Sequence, residues 1–329
     1  MCEHDPSFTE TDCLYSPSHW SVDGKTPKEV IDRFIAVLFA SQARVKSITP
    51  SVWRTISMGA EESSYLSLKD GISSLEDSST KKTPAHDRLR IPPTEGSRSD
   101  VAPLLEPLLE DRITVASVGY KLASPNRPLS ALVYDVAGYI EKILSLFPNT
   151  GRIVVGGHSA GAHLAFKCIS HLQYIRACRL AHLEKSRNFK IAQKGRTYYH
   201  LHRLPCALIK SPRITGLALV AGIFDLTELS ETVIGMPIGM TAADAAESSC
   251  RAEEYSEGEL EVLILVGECD TPRFRSQAAD LHEQLRARKI KSQRVELPNE
   301  DHYSLIEGFA QETRKQTKLL RKFCSIQSL

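Results

Sequence analysis

The chain has 329 residues, 42% of them hydrophobic and 25% charged, an ordinary globular balance with room for a sizeable core. Its net charge of +1 points to no nucleic-acid partner and no membrane surface, and the absence of any run of 18 apolar residues predicts no membrane span. Eight cysteines without a C-x-x-C pair argue against a zinc knot or disulfide framework, and the polar start Met1-Cys-Glu-His-Asp-Pro6 lacks a signal-peptide pattern, so a reduced, cytoplasmic compartment is expected.

Residues 1–68 read as an N-terminal arm followed by helices. Tyr15 and Trp20 flank a Ser-Pro pair, either as an arm docked on the body or as a loop with two core-facing rings. Val30, Ile31, Phe34, Ile35, Leu38 and Phe39 recur at helical spacing and predict an amphipathic helix over 27–41. A short helix or strand is expected near Trp53. Residues 69–100 are polar and turn-rich, with little that could form a central strand, and a loop of that length inside a compact domain is uncommon.

From 101 to 323 strands alternate with helices. The apolar runs predict strands at 112–118, 153–155, 214–220, 261–267 and 294–297, the last at an edge. Helices are expected at 101–109, 129–146, from 160 to about 171, 274–288 and 303–323. This alternation argues an α/β fold, a mainly parallel sheet covered by helices on both faces. Between Arg176 and Arg213 stand ten Lys or Arg and one acidic residue, Glu184. The stretch 172–213 reads as a solvated basic insertion, although its charge would also suit a nucleic-acid or partner-binding arm. His200 and His202 have one Cys, Cys206, but no carboxylate within ten residues and no spaced ligand set, so no metal site is expected there, and no cofactor motif appears elsewhere.

The organising stretch is Gly157-His158-Ser159-Ala160-Gly161, a G-x-S-x-G between a β-branched run and a helix-compatible run. Such a turn presents a serine on strained backbone, and small neighbours let the following helix lie close to the sheet. The backbone N–H of Ala160 would face an oxyanion. Serine is a weak nucleophile until a base takes its proton, so the partners are sought beyond the ends of later strands. Asp270 follows the 261–267 strand and His302 follows the 294–297 strand. The order Ser159, Asp270, His302 is that of an α/β-hydrolase. Asp270 would orient the imidazole, and His302 would act as base and then as acid. Glu268 and Asp301 are rival carboxylates. His158 flanks the serine but is not expected to be the base, His163 reads as a packed helix residue, and Asp225 as a structural acid.

Together these residues resemble the kynurenine formamidase (arylformamidase) family of α/β-hydrolases. The likeness is carried by Gly157 to Ala165, Tyr15 to Trp20, Glu95 to Asp100, Val118 to Ser124, Ala221 to Leu226, and Gly267 to Phe274 with His302. It implies hydrolysis of N-formyl-L-kynurenine to L-kynurenine and formate, with Ser159 as nucleophile, Asp270 as acid and His302 as base. The chain departs from the family at the oxyanion segment. Where the family has His-Gly-Gly at the end of an early strand, Ile91-Pro-Pro-Thr94 stands here with no adequate strand before it. The fold is therefore expected to lack an early central strand. Gly96 is a candidate for a replacement N–H, on which the reading does not count. Two rivals stand beside the formamidase: a broad carboxylesterase using the same triad, and an impaired homologue acting as a binding protein. The expected partner is a small aryl formamide or ester; the sequence sets no oligomeric state.

Overall fold

A computed structural model describes residues 5–48, 53–57, 62–67, 103–104, 107–108, 111, 113, 115–146, 152–185, 214–255 and 260–325. Gly96, the rest of 69–100, and His200 and His202 lie outside the described residues.

Among the described residues four parallel strands form the larger sheet, in the order β4 (Ile153–His158), β5 (Ile214–Val220), β6 (Glu261–Gly267), β7 (Lys291–Leu297). The two central strands are apolar at nearly every position because both faces are covered. Leu217 and Leu219 of β5, with Val262, Ile264 and Val266 of β6, face one core. The alternate residues Ala218, Val220, Leu263 and Leu265 face a second core on the opposite side. Each fully buried Leu or Ile contributes roughly 1.5–3 kcal/mol, so these two strands anchor the molecule. The α/β architecture expected from the alternation is thus present.

The first core is closed by α3 (Leu129–Leu146), α4 (Ala160–Lys185) and α6 (Pro272–Ala287). The second is closed by α7 (His302–Glu307) and α8 (Lys315–Cys324). Ahead of these lie α1 (Glu10–Leu14) and α2 (Pro27–Ile48), and α5 (Ala242–Ser248) follows β5. A second sheet, β1 (Trp53–Ser57), β2 (Glu62–Ser67) and β3 (Val115–Val118), is antiparallel. Among the described residues no strand joins β3 to β4. The two sheets nevertheless share both cores: Val115 and Val154 pack into one, and Val118, Tyr120 and Val155 into the other. The interruption falls between two strands that belong to one layer, as expected of a sheet lacking an early strand.

The strands expected at 112–118, 153–155 and 294–297 run Val115–Val118, Ile153–His158 and Lys291–Leu297, and three helices differ more from expectation. The elbow helix does not stop near His171 but runs to Lys185, because Ile169, Leu172 and Ile175 continue its apolar face, and Lys and Arg are good helix formers. The basic stretch 172–213 therefore begins inside a helix. The early helix likewise extends to Ile48, burying Val45. The closing helix 303–323 is two helices. A 3-10 turn at Gly308–Ala310 and extended backbone at Gln311 separate them. Thr317 Oγ1 donates to the Gly308 carbonyl at 3.1 Å, folding α8 back on the turn.

Candidate active site

Ser159 sits between β4 and α4 with φ 56°, in the left-handed region that costs a side-chain-bearing residue strain. Backbone hydrogen bonds hold it there. Its N–H donates to the Val220 carbonyl of the neighbouring strand at 2.9 Å, and its own carbonyl accepts from Ala162 at 3.0 Å. Gly157 makes the corner feasible, since a Cβ there would lie 2.3 Å from the Gly161 carbonyl group. Ala160 is the exposed first residue of α4, so its N–H has no acceptor within the helix and lies at the positive end of the helix dipole.

Asp270 and His302 arrive on two loops clamped together at the ends of β6 and β7. Glu268 N–H donates to Leu297 and Cys269 N–H to Glu300, each at 2.9 Å. A Cβ on Gly267 would meet the Glu300 carbonyl at 2.2 Å, so only glycine permits this approach. The carboxylate and imidazole are both buried, with His302 Nδ1 3.0 Å from Asp270 Oδ2. The other carboxylate oxygen accepts from Thr271 N–H at 2.7 Å. An ionised carboxylate accepts only, so Nδ1 carries the proton and Nε2 is left free to take one.

The rival carboxylates have other tasks. Glu268 is exposed and accepts from Asn299 N–H at 3.0 Å. Asp301 caps α7, accepting from Tyr303 and Ser304 N–H at 2.9 and 2.7 Å. Its second oxygen accepts from Val22 N–H at 3.1 Å and lies 3.6 Å from the Arg33 guanidinium. The N-terminal arm thus braces the helix that begins with His302. Further along the arm, buried Tyr15 donates to Glu228 and accepts from Gln277 at 3.2 Å, while Trp20 Nε1 donates to Cys13. The arm docks, and Tyr15 is at the same time a core-facing ring. Phe274, Tyr303 and His158 surround the imidazole with ring centroids 5.1, 5.3 and 4.5 Å away. None of these three contacts announces itself in the sequence, because each residue type there serves equally well as ordinary packing.

His163 is buried and packed as expected, its Nε2 2.7 Å from the Ser248 carbonyl, and burial pushes its pKa down to about 4. Asp225 is structural: one oxygen accepts from Thr227 N–H and Oγ1 and from Ser249 Oγ. Among the described residues no group of three or more His, Cys, Asp or Glu could hold a metal ion, and no helix is long and apolar enough to cross a membrane.

Comparison with known proteins adds lineage to this geometry. No family model matches the chain. The kynurenine formamidase of Danio rerio is 26% identical over 325 residues, covering 96% of each chain. That of Salmo salar is 25% identical over 221 residues, 66% of this chain and 64% of its own length. The solved structure of a putative thioesterase from Silicibacter sp. TM1040 covers 96% of this chain and 99% of its own, with TM-score 0.64 and 19% identity. An esterase from Pyrobaculum calidifontis covers 90% of this chain and 91% of its own, with TM-score 0.53 and 14% identity. The chain has the α/β-hydrolase fold and is distantly related to kynurenine formamidases.

Proposed function

We propose that the chain is a serine hydrolase opening small acyl esters or aryl amides through an acyl-enzyme on Ser159. The reading rests on the buried Asp270–His302 hydrogen bond, with the His302 ring packed on His158, the residue before a left-handed serine at a strand–helix corner. His302 Nε2 takes the Ser159 proton as Oγ attacks the acyl carbon, then hands it to the departing oxygen or nitrogen. A water activated by the same nitrogen clears the acyl group as an acid. Asp270 keeps Nδ1 protonated and stabilises the transient imidazolium. The Ala160 N–H and the positive end of α4 receive the oxyanion.

Small acyl esters are the first substrate class. Pro92 and Pro93 stand where the family places glycine donors, and proline has no N–H. Loss of one oxyanion donor costs about 100- to 1000-fold, which an ester with a good leaving group tolerates better than an amide. The second reading, hydrolysis of N-formyl-L-kynurenine to L-kynurenine and formate in tryptophan breakdown, is favoured by the 26% identity to the zebrafish enzyme over 325 residues. Free thiols at Cys168, Cys250, Cys269 and Cys324 suit a cytoplasmic site of action.

The test is fluorophosphonate labelling, with a butyryl ester and a formyl arylamide assayed side by side. Ser159→Ala is expected to abolish labelling and to lower turnover by at least about 10³-fold. Faster ester turnover supports the first substrate class and faster formamide turnover the second. No labelling and no turnover would leave a binding protein built on a hydrolase scaffold.

A further inference from the structure

His158 has no part in the mechanism above, yet it stands between the two halves of the site. It is the last residue of β4 and directly precedes Ser159. Its Nε2 lies 3.1 Å from the main-chain oxygen of His302, and its ring is tilted 48° against the His302 ring, centroids 4.5 Å apart. One side chain therefore touches both the backbone and the imidazole of the base while its own backbone leads into the nucleophile.

We propose that His158 is a positioning residue, donating its Nε2–H to the His302 carbonyl and so fixing the distance between the strand that carries Ser159 and the helix that carries the base. The inference rests on the serine-hydrolase reading of this site. The donor assignment follows from chemistry: a carbonyl oxygen brings no proton, so the ring nitrogen facing it must. An imidazolium would donate there too, so it is the neutrality of the ring that leaves Nδ1 unprotonated. Neutrality is required here, because a second imidazolium 4.5 Å from His302 would oppose the charge that His302 acquires when it takes the serine proton. Burial and the neighbouring His302 both hold the His158 pKa well below the ordinary histidine value, in keeping with this tautomer.

The need for such a link follows from how the two sides are anchored. Ser159 is tied to β5 through Val220, and His302 is tied to β6 and to the arm through Asp270 and Asp301. His158 joins them directly. A shift of about 1 Å between a nucleophile and its base costs on the order of 100-fold in rate.

Two variants separate the donor from the ring. His158→Phe keeps an aromatic ring and loses the donor; His158→Gln loses the ring and keeps an N–H at similar reach. The phenylalanine variant is expected to lose about 10- to 100-fold in kcat with KM changed less than about threefold, and the glutamine variant to recover roughly tenfold of that loss. Full kcat in His158→Phe, or equal impairment in both variants, would overturn the proposal. A direct reading needs neither activity nor a variant. In ¹⁵N-labelled protein at pH 7.5, long-range nitrogen–proton correlation is expected to show His158 as the Nε2–H tautomer. The Nδ1–H tautomer would overturn the donor assignment even if Ser159→Ala had shown the hydrolase reading to be wrong.

Discussion

The acid and base of the candidate triad stand on one kind of ground and the nucleophile on another. β5 and β6 are flanked by strands on both sides, and β6 is buried at every position after its first residue. β4, which carries Ser159, is half-buried along its length, with Gly156 exposed, and borders the break toward β3. Asp270 thus follows a strand packed like an organic crystal and holds His302, which follows the edge strand β7, by a buried hydrogen bond, while among the described residues the serine's strand is paired on one edge. Preorganisation is a property of the weaker partner. On the reading proposed above, the corner at Ser159, and not the buried Asp270–His302 hydrogen bond, sets how well the site is assembled.

The contrast can be broken first by removing core from each side. Leu265 is fully buried in β6, and Leu265→Ala is expected to cost about 3 kcal/mol, the transfer term plus a cavity that a two-sided strand cannot collapse. Val155 of β4 is only half-buried, and Val155→Ala is expected to cost about 1 kcal/mol. Urea unfolding of both variants checks the ordering. Equal losses would mean that β4 is as firmly held as β6 and would remove the distinction drawn above.

Acid sharpens the same contrast, because a buried histidine sits on the helix that follows Ser159. His163 of α4 has its pKa lowered by burial from 6.5 to about 4. Between these values the unfolded chain binds the proton and the folded chain does not, so stability falls as pH drops from about 6.5 to about 4 and levels off below. At pH 5 the loss attributable to this one group is about 2 kcal/mol. His158 adds to it in the same direction. His163→Gln, which keeps a donor for the Ser248 carbonyl, is expected to shrink the difference in unfolding free energy between pH 7.5 and pH 5 by about that amount. An unchanged difference would place the acid weakness elsewhere.

What could be read from residues alone divides along the same line. The strands of the C-terminal half announce themselves because burial on both faces demands unbroken apolar runs, as in Leu217 to Val220 and Val262 to Val266. The elbow announces itself because a left-handed serine at this corner needs Gly157 before it, where a Cβ would clash with the Gly161 carbonyl group. The order of Asp270 and His302 follows from strand ends gathering at one edge of a parallel sheet. Three features do not show in this way. His158 looks like the free position of the elbow motif, since nothing local requires its Nε2 to meet His302. Asp301 looks like a rival orienter until its hydrogen bonds to Tyr303, Ser304 and Val22 reveal a helix cap braced by the arm. The break in the closing helix is set by Gly308 packing against Gln316, a contact eight residues apart that helical periodicity does not encode.

The smallest effect belongs to the firm side. Lys289 follows α6 in the left-handed region, φ 57°, exposed, with its N–H donating to Arg286 and the next N–H, of Ile290, to Leu285, both at 2.9 Å. That is the position after a helix end where glycine is favoured, because it lacks the Cβ that clashes in this conformation. Lys289→Gly relieves about 1 kcal/mol of strain and gives part of it back through the greater freedom of glycine in the unfolded chain. A net gain of about 0.5 kcal/mol is expected, read as a small rise in the urea midpoint with no change in slope. The turn delivers buried Ile290 into the core directly ahead of β7, so a loss of stability instead would mean that the lysine stem packs on this corner. The firmness of the β6–β7 side would then rest partly on its surface and not on its two-sided core alone.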